Sequence, residues 1–335
     1  MAHGYNPFLT SWSPYHGAAY AVVEACAKAV AAGAEFGGMR FSYQEYFERM
    51  HTARSWGKPL AALLGALDAQ ADFGVAAIGG KDSMSGTFQQ INVPPMLMAF
   101  GITTVDARRV ISTDLKEAGH TLYLLKHTPK ANRMPDTAAL RTLWNYASER
   151  IAAGRIVAGY AVGFGGVAEA LAKMAFGNGI GAEVELPEEA LFAYDYGSIV
   201  VESTEPLDFP AAELLGHTEA EESLTINGEK MPLEELYRAN TERFATVYPD
   251  KGINHAPVME AMPALRSFTY PGEAVERPVV FIPVFPGSNC DYDTAKAFRR
   301  AGAEVRSEVF CNLTAEAIFD SIRRMKEAIA ACHIF

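Results

Sequence analysis

The chain is 335 residues long, 49% hydrophobic and 21% charged, with a formal net charge of -11. That length and balance describe a globular protein with core enough for two or more domains. The acidity, without any Lys/Arg cluster, excludes a nucleic-acid-binding protein, because gripping a phosphate backbone needs concentrated basic surface to release counterions.

Taken in chain order, Pro14 to Ala32 is rich in small and apolar residues, with Pro14 suited to a first turn and Gly33 to an end, which predicts a helix. A second helix is expected from about Pro59 to Phe73, stopping at Gly74, then a loop bearing Lys81 and a strand over Met96 to Val105, buried or at a sheet edge. Residues 1–112 thus read as an α+β unit. A second, α/β unit over 113–247 follows, with strands at Leu122–Leu125, Ile156–Ala161, Ala182–Leu186 and Ser198–Glu202 and helices near Asp136–Ala153 and Gly165–Phe176. Asn227-Gly228 marks a tight hairpin before a helix near Pro232. Residues 248–277, rich in Pro, Gly and Met without periodicity, read as a linker. From 278 to 335 the pattern is βαβαβ: Val279–Phe285, a helix at Asp293–Ala301, Glu304–Phe310, a helix at Ala315–Ala330, and His333–Phe335. That is the opening of a doubly wound sheet, cut off in its third strand. At the other end, a domain that opens on its first long helix is expected to lack strands for that helix to cover.

Two glycine-rich stretches carry candidate chemistry. In Gly79-Gly80-Lys81-Asp82-Ser83-Met84-Ser85 the paired glycines allow close backbone approach. Lys81, Asp82, Ser83 and Ser85 then put a cation, an anion and two hydroxyls beside that bend, a set suited to phosphate or a phosphorylated sugar. The plain alternative is a strand connection in which Asp82 and the serines cap their own backbone. Gly163, Gly165 and Gly166 open a helix and so resemble an anion-binding N-terminus. Glu24 and Lys28 lie one helical turn apart, an ordinary surface ion pair on residues alone. His16 reads as a helix-start residue, with no carboxylate to orient it as a base. Cys26, Cys290, Cys311 and Cys332 lack metal-type spacing and fit a reducing cytosol. The Asn312-Leu313-Thr314 sequon has no signal peptide or long apolar span to give it a secretory context, so the expectation is a cytoplasmic protein without a membrane partner.

Ser13-Pro14-Tyr15-His16-Gly17, Ser42-Tyr43-Gln44-Glu45-Tyr46-Phe47, Trp56-Gly57-Lys58-Pro59 and Gly80-Lys81-Asp82-Ser83-Met84-Ser85 occur in the order found in the second synthetase repeat of the large, single-chain phosphoribosylformylglycinamidine synthases, which this chain resembles. Pro286-Gly287-Ser288-Asn289-Cys290-Asp291 is similar to the first loop of that family's fused glutaminase domain. The resemblance implies an α/β and α+β multidomain fold: aminoimidazole-ribonucleotide-synthetase-like N- and C-terminal subdomains, then the start of a doubly wound class I glutaminase. It implies a carbon–nitrogen ligase of purine biosynthesis acting on a small-molecule substrate, with ATP and Mg²⁺ in the intact enzyme and neither firmly expected on this chain. The first synthetase repeat and the rest of the glutaminase would be its partners. The glutaminase Cys, His and Glu of the family fall beyond Phe335, so no catalytic residue is assigned and Cys290 is a loop residue. Where family members can carry a Glu and an Asn four apart as Mg²⁺ ligands, this chain has Glu24 and Lys28. Where the glycine turn can carry a further Asp ligand, it has Ala161. The resemblance therefore implies a decayed nucleotide–Mg²⁺ site, with Glu24 its last metal ligand and Gly163, Gly165 and Gly166 its remnant. A stand-alone kinase or synthetase of the same superfamily and a non-catalytic scaffold docking a glutaminase on a synthetase are the alternatives.

Overall fold

The computed structural model describes residues 1–248 and 274–335. They belong to two compact units, Met1–Gly252 and Ile253–Phe335. The expected linker lies almost wholly outside the described residues.

The first unit is organised around one helix made of small side chains. β1 (Ala2–Gly4) and α1 (Pro7–Trp12) lead into α2 (Pro14–Ala31), whose N-cap Ser13 accepts from the His16 amide and whose first residue is proline. Every residue of α2 from Gly17 to Ala27 is buried, so the helix has no solvent face over that span. β2 (Arg40–Tyr46) follows, then α3 (Ala53–Phe73). α3 starts one and a half turns before Pro59, because Thr52 and Ser55 form a reciprocal capping box; it ends at Gly74 in the left-handed region, φ 69°. Pro59, at the end of its second turn, was a misleading start signal. Gly65 brings α3 onto α2: a Cβ there would stand 1.9 Å from the Tyr15 carbonyl oxygen.

β3 (Ala76–Ser83), the short hairpin strands β4 (Thr87–Phe88) and β5 (Ile91–Asn92), and β6 (Met96–Ile102) complete this region. The sheet order is β1-β6-β2-β3, with β6 internal. Two expectations are corrected. α2 does lie on one strand from its own amino end, since β1 pairs antiparallel with β6 and packs under α2; three residues are too few to show alternation. The Lys81 stretch is not a loop but an edge strand, paired parallel with β2 from Arg40↔Ala76 to Tyr46↔Ser83 across an irregularity at Phe41/Ser42.

The second sheet is built from β7 (Thr121–Leu125), α4 (Thr137–Ala152), β8 (Ile156–Ala161), α5 (Gly166–Phe176), β9 (Gly181–Val184), α6 (Glu188–Leu191), β10 (Ile199–Ser203), β11 (Ala212–Glu219), β12 (Ser223–Ile226), β13 (Glu229–Pro232) and α7 (Leu233–Glu242). Its order is β13-β12-β9-β11-β7-β10-β8, antiparallel except for β12 on β9. Alternation along β7 and β10 sends Tyr123, Leu125, Ile199 and Val201 into a core shared with α2, α3 and α4, and Leu122, Leu124 and Val200 into a second core under α5. β11 escaped the sequence reading because a bulge between Leu214 and Gly216 breaks its period of two.

In the second unit β14 (Val279–Val284), α8 (Asp291–Arg300), β15 (Glu304–Val309) and α9 (Ala315–Ala330) form two successive βα steps. β14 and β15 pair parallel, and the expected third strand is present as a single parallel bridge, Val280↔Ile334. No described helix is long and apolar enough to cross a membrane.

Candidate functional site

Glu24 and the glycine turn, far apart in sequence, meet in the structure. A Cβ on Gly163 would lie 3.7 Å from Glu24 Oε1, so the turn after β8 passes over the middle of α2. Glu24 is only 6% exposed, and both of its oxygens are occupied. Oε1 pairs with Lys28 Nζ at 2.8 Å, and Oε2 accepts the Tyr5 amide at 2.9 Å. Lys28 Nζ also donates to the His3 carbonyl at 3.0 Å. The ion pair expected from the spacing is there, but it is buried on its acidic side rather than superficial. Lys28, Tyr160 and Ala161 line a pocket of about 240 Å³ beside it.

The turn itself is likewise self-satisfied. The Gly165 amide donates to Glu169 Oε2 at 2.8 Å, and Glu169 Oε1 pairs with Lys173 Nζ at 2.6 Å. A carboxylate from the first turn of α5 therefore sits where the helix N-terminus would receive an anion. Gly166, φ 68°, is needed for packing: a Cβ would stand 2.4 Å from the Leu191 carbonyl of α6. With each carboxylate matched to its own lysine, the cluster has no formal charge left to offer a phosphate or a cation. The residues present do not fit Mg²⁺: Glu24 is the one carboxylate among the three expected ligand positions, and an ammonium occupies its free side.

The Lys81 set is divided by its own strand. β3 runs opposite β2 with Lys81↔Gln44, Asp82↔Glu45 and Ser83↔Tyr46. Alternation puts Asp82 on the Tyr43–Glu45 face, toward the helices, and Lys81 and Ser83 on the other. Ser83 Oγ and Ser85 Oγ are 2.9 Å apart, so the two hydroxyls stay together at the end of the strand. Glu45 faces Asp82 across the pair. Its carboxyl is pushed up to about 7, by burial first and by the Asp82 charge second. Glu45 Oε1 and the Tyr43 hydroxyl are buried without a hydrogen-bond partner among the described residues.

Cys290 is exposed and holds φ 63° as the N-cap of α8, a loop-shaping position. His16 bridges Ser13 Oγ (2.9 Å) and the Asn132 carbonyl (3.1 Å), tying the start of α2 to a distant loop. Sequence reasoning missed Glu169 as the occupant of the glycine turn; its i,i+4 lysine is the usual mark of a solvated pair.

The class is defined by a two-sheet α/β unit followed by a parallel βαβ unit. Residues 111–229 match the C-terminal domain of AIR synthase related proteins, and residues 277–334 match the CobB/CobQ-like glutamine amidotransferase domain. In fold the chain is PurL-like, with an AIR-synthase-related domain ahead of a glutamine amidotransferase domain. It is similar to Thermotoga maritima PurL complexed with FGAR (14% identity, TM-score 0.58, 91% of this chain and 52% of that one). It is also similar to PurLQS from the same organism (15%, 0.57, 82% and 46%) and to its PurL complexed with ATP (15%, 0.57, 82% and 46%). At such identities the likeness is one of fold. The chain spans about half the length of these relatives. The sequence matches no curated protein.

Proposed function

We propose that the chain supplies synthetase and glutaminase parts of a ligase that turns formylglycinamide ribonucleotide, glutamine and ATP into formylglycinamidine ribonucleotide, glutamate, ADP and phosphate. The observation carrying this reading is the succession, in one chain, of an AIR-synthase-related domain and a glutamine amidotransferase domain. PurL relatives complexed with FGAR and with ATP support the substrate and nucleotide classes. In such a reaction ATP phosphorylates the amide oxygen, and ammonia released from glutamine then displaces phosphate.

Within this reading residues 1–112 and 113–247 are the two synthetase subdomains, 248–277 the connection and 278–335 the glutaminase portion. Their part is structural and substrate-facing. Lys81 and Ser83, with Ser85 at the strand end, offer a cation and hydroxyls to a phosphorylated substrate, while Asp82 belongs to the helix-side layer. ATP and Mg²⁺ act at the partner synthetase repeat, since Lys28 and Ala161 stand where two of the Mg²⁺ ligands beside Glu24 would be in this one. The exposed row Trp56, Leu60, Leu64 and Leu67 on α3 offers an apolar surface to that partner. The proposed setting is the cytoplasm. Disruption of the coding sequence in its host is expected to make growth depend on added purine, and unimpaired growth without purine would overturn the assignment.

A further inference from the structure

Outside that site the second sheet brings together three side chains of metal-ligating type. Glu183 of β9 and His217 of β11 stand directly opposite one another in the antiparallel register, and Glu219, two residues farther along β11, shares their face. One ligand atom from each lies within 4.8 Å of the others, and His217 Nε2 is 2.7 Å from Glu219 Oε1. Two features of the backbone set this geometry. The bulge between Leu214 and Gly216 rephases β11 just before His217. Gly216 then lets β11 close on β9, for a Cβ there would stand 2.0 Å from the Glu183 carbonyl oxygen. The row continues into hydroxyls, Thr225 of β12 opposite Glu183 and Thr121 of β7 opposite His217. Lys230, opposite Thr225 on β13, is engaged with Glu221 and not with this cluster.

We propose that Glu183, His217 and Glu219 form a surface site for a divalent cation of the zinc class. Two carboxylates on adjacent strands repel unless a cation lies between them, and the imidazole nitrogen between these two is a ligand for Zn²⁺, Co²⁺ or Ni²⁺. Mg²⁺ is disfavoured, because it keeps its waters and prefers an all-oxygen shell. Three protein ligands leave at least one coordination position for water or an outside donor. All three stand on hydrogen-bonded strands, which hold them in place before the ion arrives. A bound ion links β9 to β11 only in the folded state, so it raises the melting temperature by linkage.

The test uses the whole chain stripped with a chelator, Co²⁺ as a spectroscopic probe and Zn²⁺ competing with a chromogenic indicator. Expected are a visible Co²⁺ band at one equivalent, its displacement by Zn²⁺, and indifference to excess Mg²⁺. His217→Ala should lose the band and weaken Zn²⁺ binding at least about tenfold, and Glu183→Gln with Glu219→Gln should do likewise. These side chains are on a solvent face, so the variants should melt like the parent in chelator and fail only to gain stability on adding Zn²⁺. Unchanged binding in both variants would assign the metal to other His or Cys side chains, and absence of binding by the parent would equally sink the proposal.

Discussion

Lys28 decides what the pocket beside the glycine turn can hold. Its ammonium stands on a carboxylate that is almost entirely out of water, and no divalent ion can approach Glu24 without displacing it. Removing the lysine alone would strand that charge, so the informative change supplies the missing donors together. Titrated calorimetrically with ADP and Mg²⁺, the parent chain is expected to give no binding heat, whereas Lys28→Asn with Ala161→Asp should bind in a Mg²⁺-dependent way. Micromolar Mg-ADP binding by the parent would mean that the lysine is not the obstacle. The four-residue spacing of Glu24 and Lys28 was legible in the sequence. What it could not reveal was burial, because that comes from the Tyr5 amide and the turn at Gly163 folding over the same atoms. Glu169 was illegible for a related reason: an i,i+4 pair with Lys173 is what any exposed helix shows, and only the path of the backbone turns it into a plug.

At the scale of the element, the decisive pairing is β2 with β3. Lys81, Asp82 and Ser83 are adjacent in sequence, yet a strand distributes neighbours to opposite faces, so their apparent clustering dissolved once the stretch proved to be a strand. The paired glycines were read as a turn because glycine weakens the strand signal; Gly80 is instead where β3 closes on β2, a Cβ there falling 2.1 Å from the Tyr43 carbonyl oxygen. This register sets Glu45 against Asp82, and the consequence is a pH dependence of folding. Glu45 has its folded pKa raised from 4.5 to about 7. The native state therefore holds a proton there that the unfolded chain has released, and stability present below about pH 4.5 is lost as the pH rises through about 7. Glu45→Gln should flatten that decline, melting at a higher temperature than the parent at pH 8 and close to it at pH 4.5. Parallel melting curves across the range would show that Asp82 and burial leave Glu45 untouched. Helix limits were the best-read elements: α4 and α9 carry side-chain caps at Asp136 and Thr314, and a cap is a local signal.

For the molecule as a whole, the two sheets of the first unit are not independent. Phe36, Phe41 and Phe73 belong to the same buried cluster as Trp144, Leu140 and Ile199, and the Phe73 and Trp144 rings stack at 5.2 Å. The sequence changes character near residue 112, which made a boundary there legible, but a change of secondary-structure pattern carries no information about which faces pack together. Residues 1–112 expressed alone would expose the side of α2 that meets α4 and β8. That segment should show no cooperative thermal transition and should bind an apolar dye, whereas 1–248 should melt cooperatively. A sharp transition in the shorter segment would separate the two cores. The burial of α2 on all sides also has a meaning for the chain as it is being made. The helix leaves the ribosome while β10, the last strand facing the core it shares, ending at Ser203, is still to be synthesised. At elongation rates of roughly 5–20 residues per second, the wait is on the order of ten seconds. For that interval an alanine- and valine-rich segment without a polar face stands uncovered, which makes the nascent chain a natural client for holding chaperones.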